Sequence, residues 1–394
     1  MTLQLVPLLV IAQSLALVLL IDRLLPGRRR QKPVLPAKDS LRDTTVSVVV
    51  ATLNEAARIG PCLAGLQSQR EPMLEVLVVD SRSTDGTREM VQQIASHDER
   101  FQLITDDPLP AGWVGKVWAL EAGLRRARGE WILGIDADTT PAPGMVAAII
   151  NVVRSNNYDA ASFGPRFVGQ TSGERWLQPA MLVTLIYRCG APGANPPSPD
   201  RVMANGQCFV ARREMLERFG GYAIARKSFS DDVTLARHLA ANGARVGFLD
   251  GARIIDVHSY RSLSEMWREW GRSFDLKDAT PIVRRWHDVA FVWLTMALPV
   301  PVLLLSLVAL FANGATQSPK DSTWLIALMA VNGALLSFRI YLVYAIRVSY
   351  ERHGWTFWLS WLADIPAAIR LTLSTAKSVK AWRGRSYQPA STTP

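Results

Sequence analysis

Two carboxylates separated by one residue, Asp136 and Asp138, are the sharpest chemical feature of this 394-residue chain. They directly follow the apolar segment 131–135, which has the composition of a buried strand. Alternate carboxylates on a short extended turn can hold Mg²⁺ or Mn²⁺, because these ions prefer hard oxygen ligands. Such an ion would neutralise the charge that develops on a departing diphosphate. A D-x-D sequence taken alone is more often a solvated turn, so its meaning depends on its surroundings.

A second acidic pair, Asp231 and Asp232, opens the helical segment 233–241. One of these carboxylates could act as a general base that deprotonates a hydroxyl group while its oxygen attacks an electrophilic carbon. The alternative is a pair of capping residues at the helix N-terminus, where the helix dipole favours negative charge.

Polar turns also follow two other apolar segments, 46–51 and 74–79. They carry side chains that could contact a ligand: Thr52, Asn54, Glu55 and Asp80. The sequence 83–87 also fits simple capping of a helix, which does not exclude a ligand contact by Asp80. Lys116 ends a glycine-flanked sequence that lacks the P-loop pattern, so a lysine near a diphosphate and an ordinary surface lysine both fit.

The elements that must position these residues alternate in type along the chain. The three apolar runs, 46–51, 74–79 and 131–135, are typical of strands buried on both faces. Helical segments separate them, at 56–67, 88–96 and 117–128. This alternation predicts βαβ units and one α/β domain over residues 45–256 with a mostly parallel sheet. Because ligands bind at the carboxyl ends of the strands in such a sheet, the acidic turns should line one pocket.

The N-terminal segment predicts a membrane anchor over residues 1–22. Residues 3–20 are almost entirely apolar, which approaches the roughly 18–20 residues that a spanning helix needs. Arginines follow the apolar run from Arg23 onward, whereas a signal peptide carries its positive charge first, although a cleaved signal peptide stays the alternative. The charge pattern places the α/β domain on the cytoplasmic face of an integral membrane protein.

The C-terminal part predicts an interfacial region and further spans. Residues 262–287 place three tryptophans among arginines, namely Trp267, Trp270 and Trp286. This composition favours amphipathic helices in the headgroup layer, with ordinary packing on the domain as the alternative. Residues 289–311 and 324–346 predict transmembrane helices. Residues 355–374 contain an aspartate, a proline and an arginine and precede a basic tail, so a re-entrant or interfacial helix is favoured over a fourth span.

The composition fits a mixture of folded domain and membrane helices. Hydrophobic residues make up 49% of the chain and charged residues 20%, between the values of soluble enzymes and membrane bundles. The net charge of +10 lies beside apolar segments rather than in an aromatic-interleaved repeat, which favours a membrane surface over nucleic acid. The three cysteines form no CxxC pair and predict reduced thiols.

Together these motifs resemble the family 2 glycosyltransferases, which have the GT-A nucleotide-sugar (Rossmann-like) fold. The resemblance covers Val46 to Asp256, in the family's motif order. It implies that Asp136 and Asp138 bind Mg²⁺ or Mn²⁺, with Asp138 the more direct ligand, and that Asp232 is the catalytic base of an inverting transfer. It implies contacts to the nucleotide sugar from Thr52, Asn54, Glu55, Asp80, Lys116, Asp136 and Arg272. The first position of the family's E-D pair is Asp231 here, a mild departure.

A second departure bears on the product. The Q-x-x-R-W sequence of processive synthases is absent, and residues 267–273 stand in its place, so transfer of a single sugar is expected. The chain looks most like the subgroup of hopanoid-associated and cyanobacterial carotenoid (2′-hydroxyl) enzymes. This implies a lipid-soluble acceptor and a bacterial membrane, with a uridine diphosphate sugar favoured and a guanosine diphosphate sugar open. A polyprenyl-phosphate acceptor, a hopanoid or glycolipid acceptor, and a non-catalytic membrane partner with the same fold remain alternatives.

Overall fold

A seven-stranded sheet forms the centre of the computed structural model, which describes residues 5–39, 43–196, 198–258, 260, 262–313, 319–377, 381–382 and 385–386. The sheet has the strand order β3-β2-β1-β4-β8-β6-β9. Its strands are β1 Val46–Thr52, β2 Met73–Asp80, β3 Phe101–Thr105, β4 Trp131–Asp136, β6 Ala160–Gly164, β8 Cys208–Arg212 and β9 Val246–Asp250. Only β8 runs antiparallel to its neighbours within this sheet, so the predicted mostly parallel α/β fold is confirmed.

Helices cover both faces of this sheet, which explains the unbroken apolar runs. Val48 and Val50 belong to one core and Val49 to the other, as alternation of side chains across a strand requires. The covering helices are α2 Ile59–Gln67, α3 Thr87–Ala95, α4 Gly115–Arg126, α5 Met145–Ser155, α7 Arg213–Arg218 and α8 Asp231–Ala241. A second sheet contains β5 Thr139–Pro141, β7 Arg166–Phe167 and β10 Ile255–Val257, and a short hairpin pairs β11 Ala381–Trp382 with β12 Arg385–Ser386.

A second group of helices forms a separate core beside the sheet domain. These helices are α1 Val6–Leu24, α6 Ser172–Cys189, α9 Leu263–Ser273, α10 Ile282–Val292, α12 Pro319–Ile346, α13 Trp355–Trp358 and α14 Asp364–Ala376. The helix α11 Pro299–Asn313 packs with α1 and α12 in a smaller apolar cluster. Among the described residues, two helical segments are long and apolar enough to cross a membrane, Val6–Arg29 and Ser322–Ser349. A third span results if Ile282–Ala297 and Pro299–Ala312, bent by 50°, act as one.

Two details add to the sequence-based expectation. The segment predicted as the span 289–311 is bent at the break before Pro299, because proline lacks the amide hydrogen that the preceding helical turn would use. Trp270 is only 5% exposed and packs inside the second core, so this tryptophan does not face the headgroup layer. Trp286, at 44% exposure, remains available for that role.

A buried ion pair joins α12 to α14. Arg339 is 1% exposed, and its guanidinium donates to both oxygens of Asp364 at 2.8–3.0 Å and to the Ser360 carbonyl at 3.3 Å. This pair explains why a carboxylate interrupts the apolar segment 355–374: it is the counter-charge for an arginine of the neighbouring helix.

Removing one partner of this pair should destabilise the protein strongly. We expect Arg339→Leu to lower the free energy of unfolding by about 3–5 kcal/mol, because Asp364 is left buried without a counter-charge. The double variant Arg339→Leu with Asp364→Leu should recover most of this loss. Thermal unfolding in detergent measures both, and a double variant as unstable as the single one would contradict the explanation.

Candidate active site

A cavity of about 1380 Å³ opens at the carboxyl ends of β1 and β4. Its walls bring together most of the residues that the sequence singled out. Those residues are Thr52, Glu55, Lys116, Asp136, Asp138, Asp231, Asp232 and Arg272. Three of the four acidic turns contribute a carboxylate to this lining, and the turn after β2 contributes Ser81 rather than Asp80.

Lys116 lies among the carboxylates rather than on the outer surface. It stands in the first turn of α4, and its Nζ is 2.6 Å from Oδ1 of Asp136. Burial by itself would lower the pKa of Lys116, but attraction by Asp136 and by the two aspartates of α8 raises it above its usual value. The lysine is therefore a fixed positive charge inside the cavity.

Gly206 lies directly against this group of charges. A Cβ atom at this position would lie 3.0 Å from Nζ of Lys116, a tight contact, and 3.6 Å from Oδ2 of Asp232, an ordinary one. A side chain here would therefore require the lysine ammonium group to shift slightly. The main-chain amides of Gly206 and Val233 hydrogen-bond to the Asp232 carboxylate.

The two aspartates of α8 are not its N-cap residues. Ser230 occupies that position, whereas Asp231 and Asp232 lie in the first turn and line the cavity. Burial, followed by repulsion from Asp231, raises the pKa of Asp232 to about 7. Burial also raises the pKa of Asp231. A carboxylate with a pKa near neutrality is well matched to proton transfer at physiological pH.

The turns after β1 and β2 hold each other in place. Asp80 is fully buried and accepts hydrogen bonds from Arg88 Nη1 at 2.9 Å and from the Ser83 amide at 3.0 Å. The main-chain amide of Asn54 donates a hydrogen bond to Ser83 Oγ, and the side-chain Oδ1 of Asn54 accepts one from the main-chain amide of Thr84. Neither Asp80 nor Asn54 lines the cavity, whereas Thr52 and Glu55 do. A direct contact of Asp80 or Asn54 with a nucleotide stays a prediction.

Asp136 and Asp138 supply the kind of atoms that a divalent cation needs. Both side chains line the cavity at the end of β4. Within the described ranges, no three His, Cys, Asp or Glu residues are grouped so that they could hold a metal ion by themselves. Mg²⁺ commonly binds to one or two carboxylates and completes its shell with water and substrate phosphates. The two aspartates therefore fit Mg²⁺ or Mn²⁺ together with a bound diphosphate.

The cavity also extends between the apolar helices, which the sequence did not reveal. Its walls there come from the end of α1, from α6 and from α12, through Ile21, Leu24, Leu182, Leu185, Phe338, Leu342 and Ala345. The apolar runs of residues 172–189, such as 179–183, are far shorter than a membrane span and lie between polar residues, so the sequence gives little sign that α6 joins the second core. We call this extension the apolar branch.

The fold and the site together define a GT-A glycosyltransferase. The sheet is mostly parallel, and one cavity at the carboxyl ends of its strands is lined by the D-x-D turn and by the two aspartates that begin α8. Residues 47–220 match the family model Glycosyl transferase family 2. The chain belongs to this family. It is 32% identical over 138 residues to an N-acetylglucosaminyltransferase of Bradyrhizobium elkanii, an alignment that covers 34% of this chain and 71% of that relative.

Two further comparisons extend over more of the chain. The succinoglycan biosynthesis protein ExoA of Rhizobium meliloti is 25% identical, covering 60% of this chain and 70% of that protein. The mannosyltransferase PcManGT from Pyrobaculum calidifontis, solved with GDP-Man and Mn²⁺, has the same fold. It matches with a TM-score of 0.53 and 24% identity, covering 94% of this chain and 99% of its own. The chain spans only 43%, 53% and 40% of three other curated glycosyltransferases.

Proposed function

We propose that this glycosyltransferase moves one sugar from a nucleotide-diphosphate sugar to a hydroxyl group of a lipid-soluble acceptor, with inversion at the anomeric carbon. One observation carries the proposal: a single cavity joins Asp232 and the D-x-D turn to the apolar branch. A water-soluble acceptor would not need walls of leucine and phenylalanine that reach the helices α1 and α12.

The nucleotide sugar would occupy the part of the cavity at the sheet edge. Thr52 and Glu55, which line this part, would contact the nucleoside, and Arg272 and Lys116 would contact the diphosphate. Asp136 and Asp138 would hold Mg²⁺ or Mn²⁺, which would neutralise charge on the leaving diphosphate. PcManGT was solved with GDP-Man, whereas the family resemblance favours a uridine nucleotide, so both donors belong in the test.

Asp232 would perform the proton transfer of the reaction. As the acceptor oxygen attacks the anomeric carbon, Asp232 takes the hydroxyl proton, and the bond from that carbon to the diphosphate oxygen breaks. The electron pair leaves with the nucleoside diphosphate. Direct displacement of this kind inverts the configuration, and positioning of both substrates in one cavity supplies much of the rate enhancement.

The acceptor would enter from the bilayer through the apolar branch. We place the sheet domain on the cytoplasmic face of an integral membrane protein, because Arg28, Arg29 and Arg30 follow α1 directly. Within this class our preferred acceptor is the 2′-hydroxyl of a carotenoid, with a hopanoid or glycolipid hydroxyl as the alternative. All of these molecules have a large apolar part, which the apolar branch could hold, and at least one hydroxyl group.

Filling the apolar branch should impair transfer to lipid without disturbing the nucleotide site. Ala345 lines the cavity, so we expect Ala345→Trp to reduce transfer to a lipid acceptor by tenfold or more while slow hydrolysis of the sugar nucleotide continues. Ala330, on the exposed face of the same helix, provides the control Ala330→Trp. Radiolabelled sugar in the organic and aqueous phases measures the two reactions, and an equal loss of both in Ala345→Trp would count against the proposed route.

A polyprenyl-phosphate acceptor is the second candidate, and Arg370 is the observation that favours it. The Arg370 side chain lines the same cavity, and its Nε is buried without a hydrogen-bond partner among the described residues. Any side chain at Gly271 would collide with this guanidinium, so the glycine leaves it room. Lys377 lines the cavity as well.

The two acceptor classes differ in their response to loss of this charge. If the acceptor is a polyprenyl phosphate, Arg370→Gln should raise its KM by about tenfold, since one charge-assisted contact is lost. If the acceptor is a neutral alcohol, the same variant should leave KM nearly unchanged. Transfer assays with a short-chain polyprenyl phosphate and with a hydroxylated carotenoid distinguish these outcomes.

A further inference from the structure

A second charged site lies where α1 and α6 end and α10 begins. We call it the Asp288 cluster, and it consists of Arg23, Arg188, Arg201, Arg284, Asp200 and Asp288. Arg23, Arg188 and Arg201 place guanidinium nitrogens 3.8, 3.5 and 3.5 Å from the Asp288 carboxylate. Arg284 pairs with Asp200. Four positive charges thus share two negative ones.

Burial makes this excess of positive charge costly. Arg188 is 3% exposed, and its Nη1 is buried without a hydrogen-bond partner in the described part of the chain. Burial, with added repulsion from Arg188 and Arg201, lowers the pKa of Arg237 nearby. A buried guanidinium whose hydrogen bonds are only partly satisfied is destabilising, so an anion would complete this site.

The surroundings of the cluster indicate the source of the anion. Arg23 stands in the last turn of α1, at the end from which the chain continues to the sheet domain. Beside it, α10 exposes Ile282, Val283 and Trp286 at 61%, 63% and 44%. Exposed apolar side chains and a tryptophan next to arginines are typical of the headgroup layer of a membrane. Basic pockets between membrane helices at this level bind lipid headgroups.

We propose that the Asp288 cluster binds the phosphate group of an anionic phospholipid. None of its six residues lines the catalytic cavity, so this inference does not depend on the proposed acceptor. The bound phosphate would lie beside Asp288 and share with its carboxylate the charges of Arg23, Arg188 and Arg201, which come from α1, from α6 and from the loop that follows α6. It would therefore fasten the anchor helix to the helices that support the sheet domain.

The test uses full-length protein and two arginines that are not deeply buried, so that folding is preserved. Side chains of Arg201 and Arg284 are 15% and 31% exposed, and the double variant Arg201→Gln with Arg284→Gln removes two charges from the cluster. Arg352→Gln serves as the control, since Arg352 is 73% exposed and pairs with Glu351 just beyond α12. Native mass spectrometry measures retained phosphatidylglycerol during a titration. Thermal unfolding is followed in nanodiscs of phosphatidylcholine with or without phosphatidylglycerol.

We expect phosphatidylglycerol to raise the Tm of the wild type and of Arg352→Gln. The double variant should bind it on the order of tenfold more weakly and lose the Tm increase. Sodium phosphate added to phosphatidylcholine nanodiscs distinguishes free phosphate from a lipid phosphate group. If free phosphate raised the Tm as much as phosphatidylglycerol does, the lipid assignment would be overturned. An unchanged Tm in the wild type, or a response equal in the wild type and the double variant, would overturn the site.

Discussion

Asp232→Asn should reduce sugar transfer by about 10²–10⁴-fold, because the amide keeps the shape of the side chain but cannot accept the acceptor's proton. The variant should still fold and bind the nucleotide sugar, since Asp232 lies in the first turn of α8 and the Oδ1 atom of an asparagine can still accept hydrogen bonds from the main-chain amides there. Single-turnover transfer measures the loss. Activity close to that of the wild type would show that another group is the base.

The pH dependence of the wild type gives an independent reading of the same residue. Because burial and Asp231 raise the pKa of Asp232 to about 7, kcat/KM should fall as the pH is lowered through that value. Asp231→Asn is the matched variant: it removes the repulsion that raises this pKa. Its acid limb should therefore move to lower pH while the activity at high pH is largely kept. An acid limb at the same pH in both proteins would contradict the assigned cause.

Loss of the proposed metal site should cause the second-largest decrease in the rate of sugar transfer. We expect Asp138→Asn to lower the transfer rate on the order of 10²–10³-fold, because charge on the leaving diphosphate is no longer neutralised efficiently. Asp138 is a cleaner target than Asp136, which also pairs with Lys116. The measurement is transfer rate against Mn²⁺ concentration, with EDTA added to the wild type and Mn²⁺ then restored.

The control for this variant is Glu130→Gln, an exposed carboxylate that pairs with Arg212 far from the cavity lining. It changes the net charge by the same amount and should leave the metal dependence unchanged. Asp138→Asn should require more Mn²⁺ or fail to respond to it. A variant whose Mn²⁺ response matches that of the wild type would remove Asp138 from the proposed metal site.

The sheet edge was predictable because it depends on local sequence patterns. A continuous apolar run followed by acidic residues specifies a buried strand and the turn after it, and this pattern located Asp136 and Asp138 at the end of β4. Asp232 instead comes from the first turn of α8, and tertiary packing brings it to the same cavity. The position of Lys116 was left open by the sequence, because its place beside Asp136 and close to Gly206 depends on contacts between segments distant in the chain.

The apolar branch of the cavity could not be predicted for a different reason. It is formed by side chains from α1, α6 and α12, and their meeting depends on tertiary packing rather than on any one segment. Trp270 shows the same limit, because the composition of residues 262–287 favoured the headgroup layer whereas packing buries this ring. The sequence located Asp80 correctly at the end of a strand. It did not indicate that the Arg88 guanidinium donates a hydrogen bond to the Asp80 carboxylate.

The most direct test of a catalytic site open to the bilayer is sugar transfer in membranes that contain this chain. Labelled uridine and guanosine diphosphate sugars would be supplied with Mn²⁺, and the lipids and pigments extracted and separated, with Asp232→Asn in parallel. We predict label in a lipid or carotenoid band that is absent from the variant. Label confined to water-soluble products, or no label although the protein is folded and candidate lipids are present, would contradict the account.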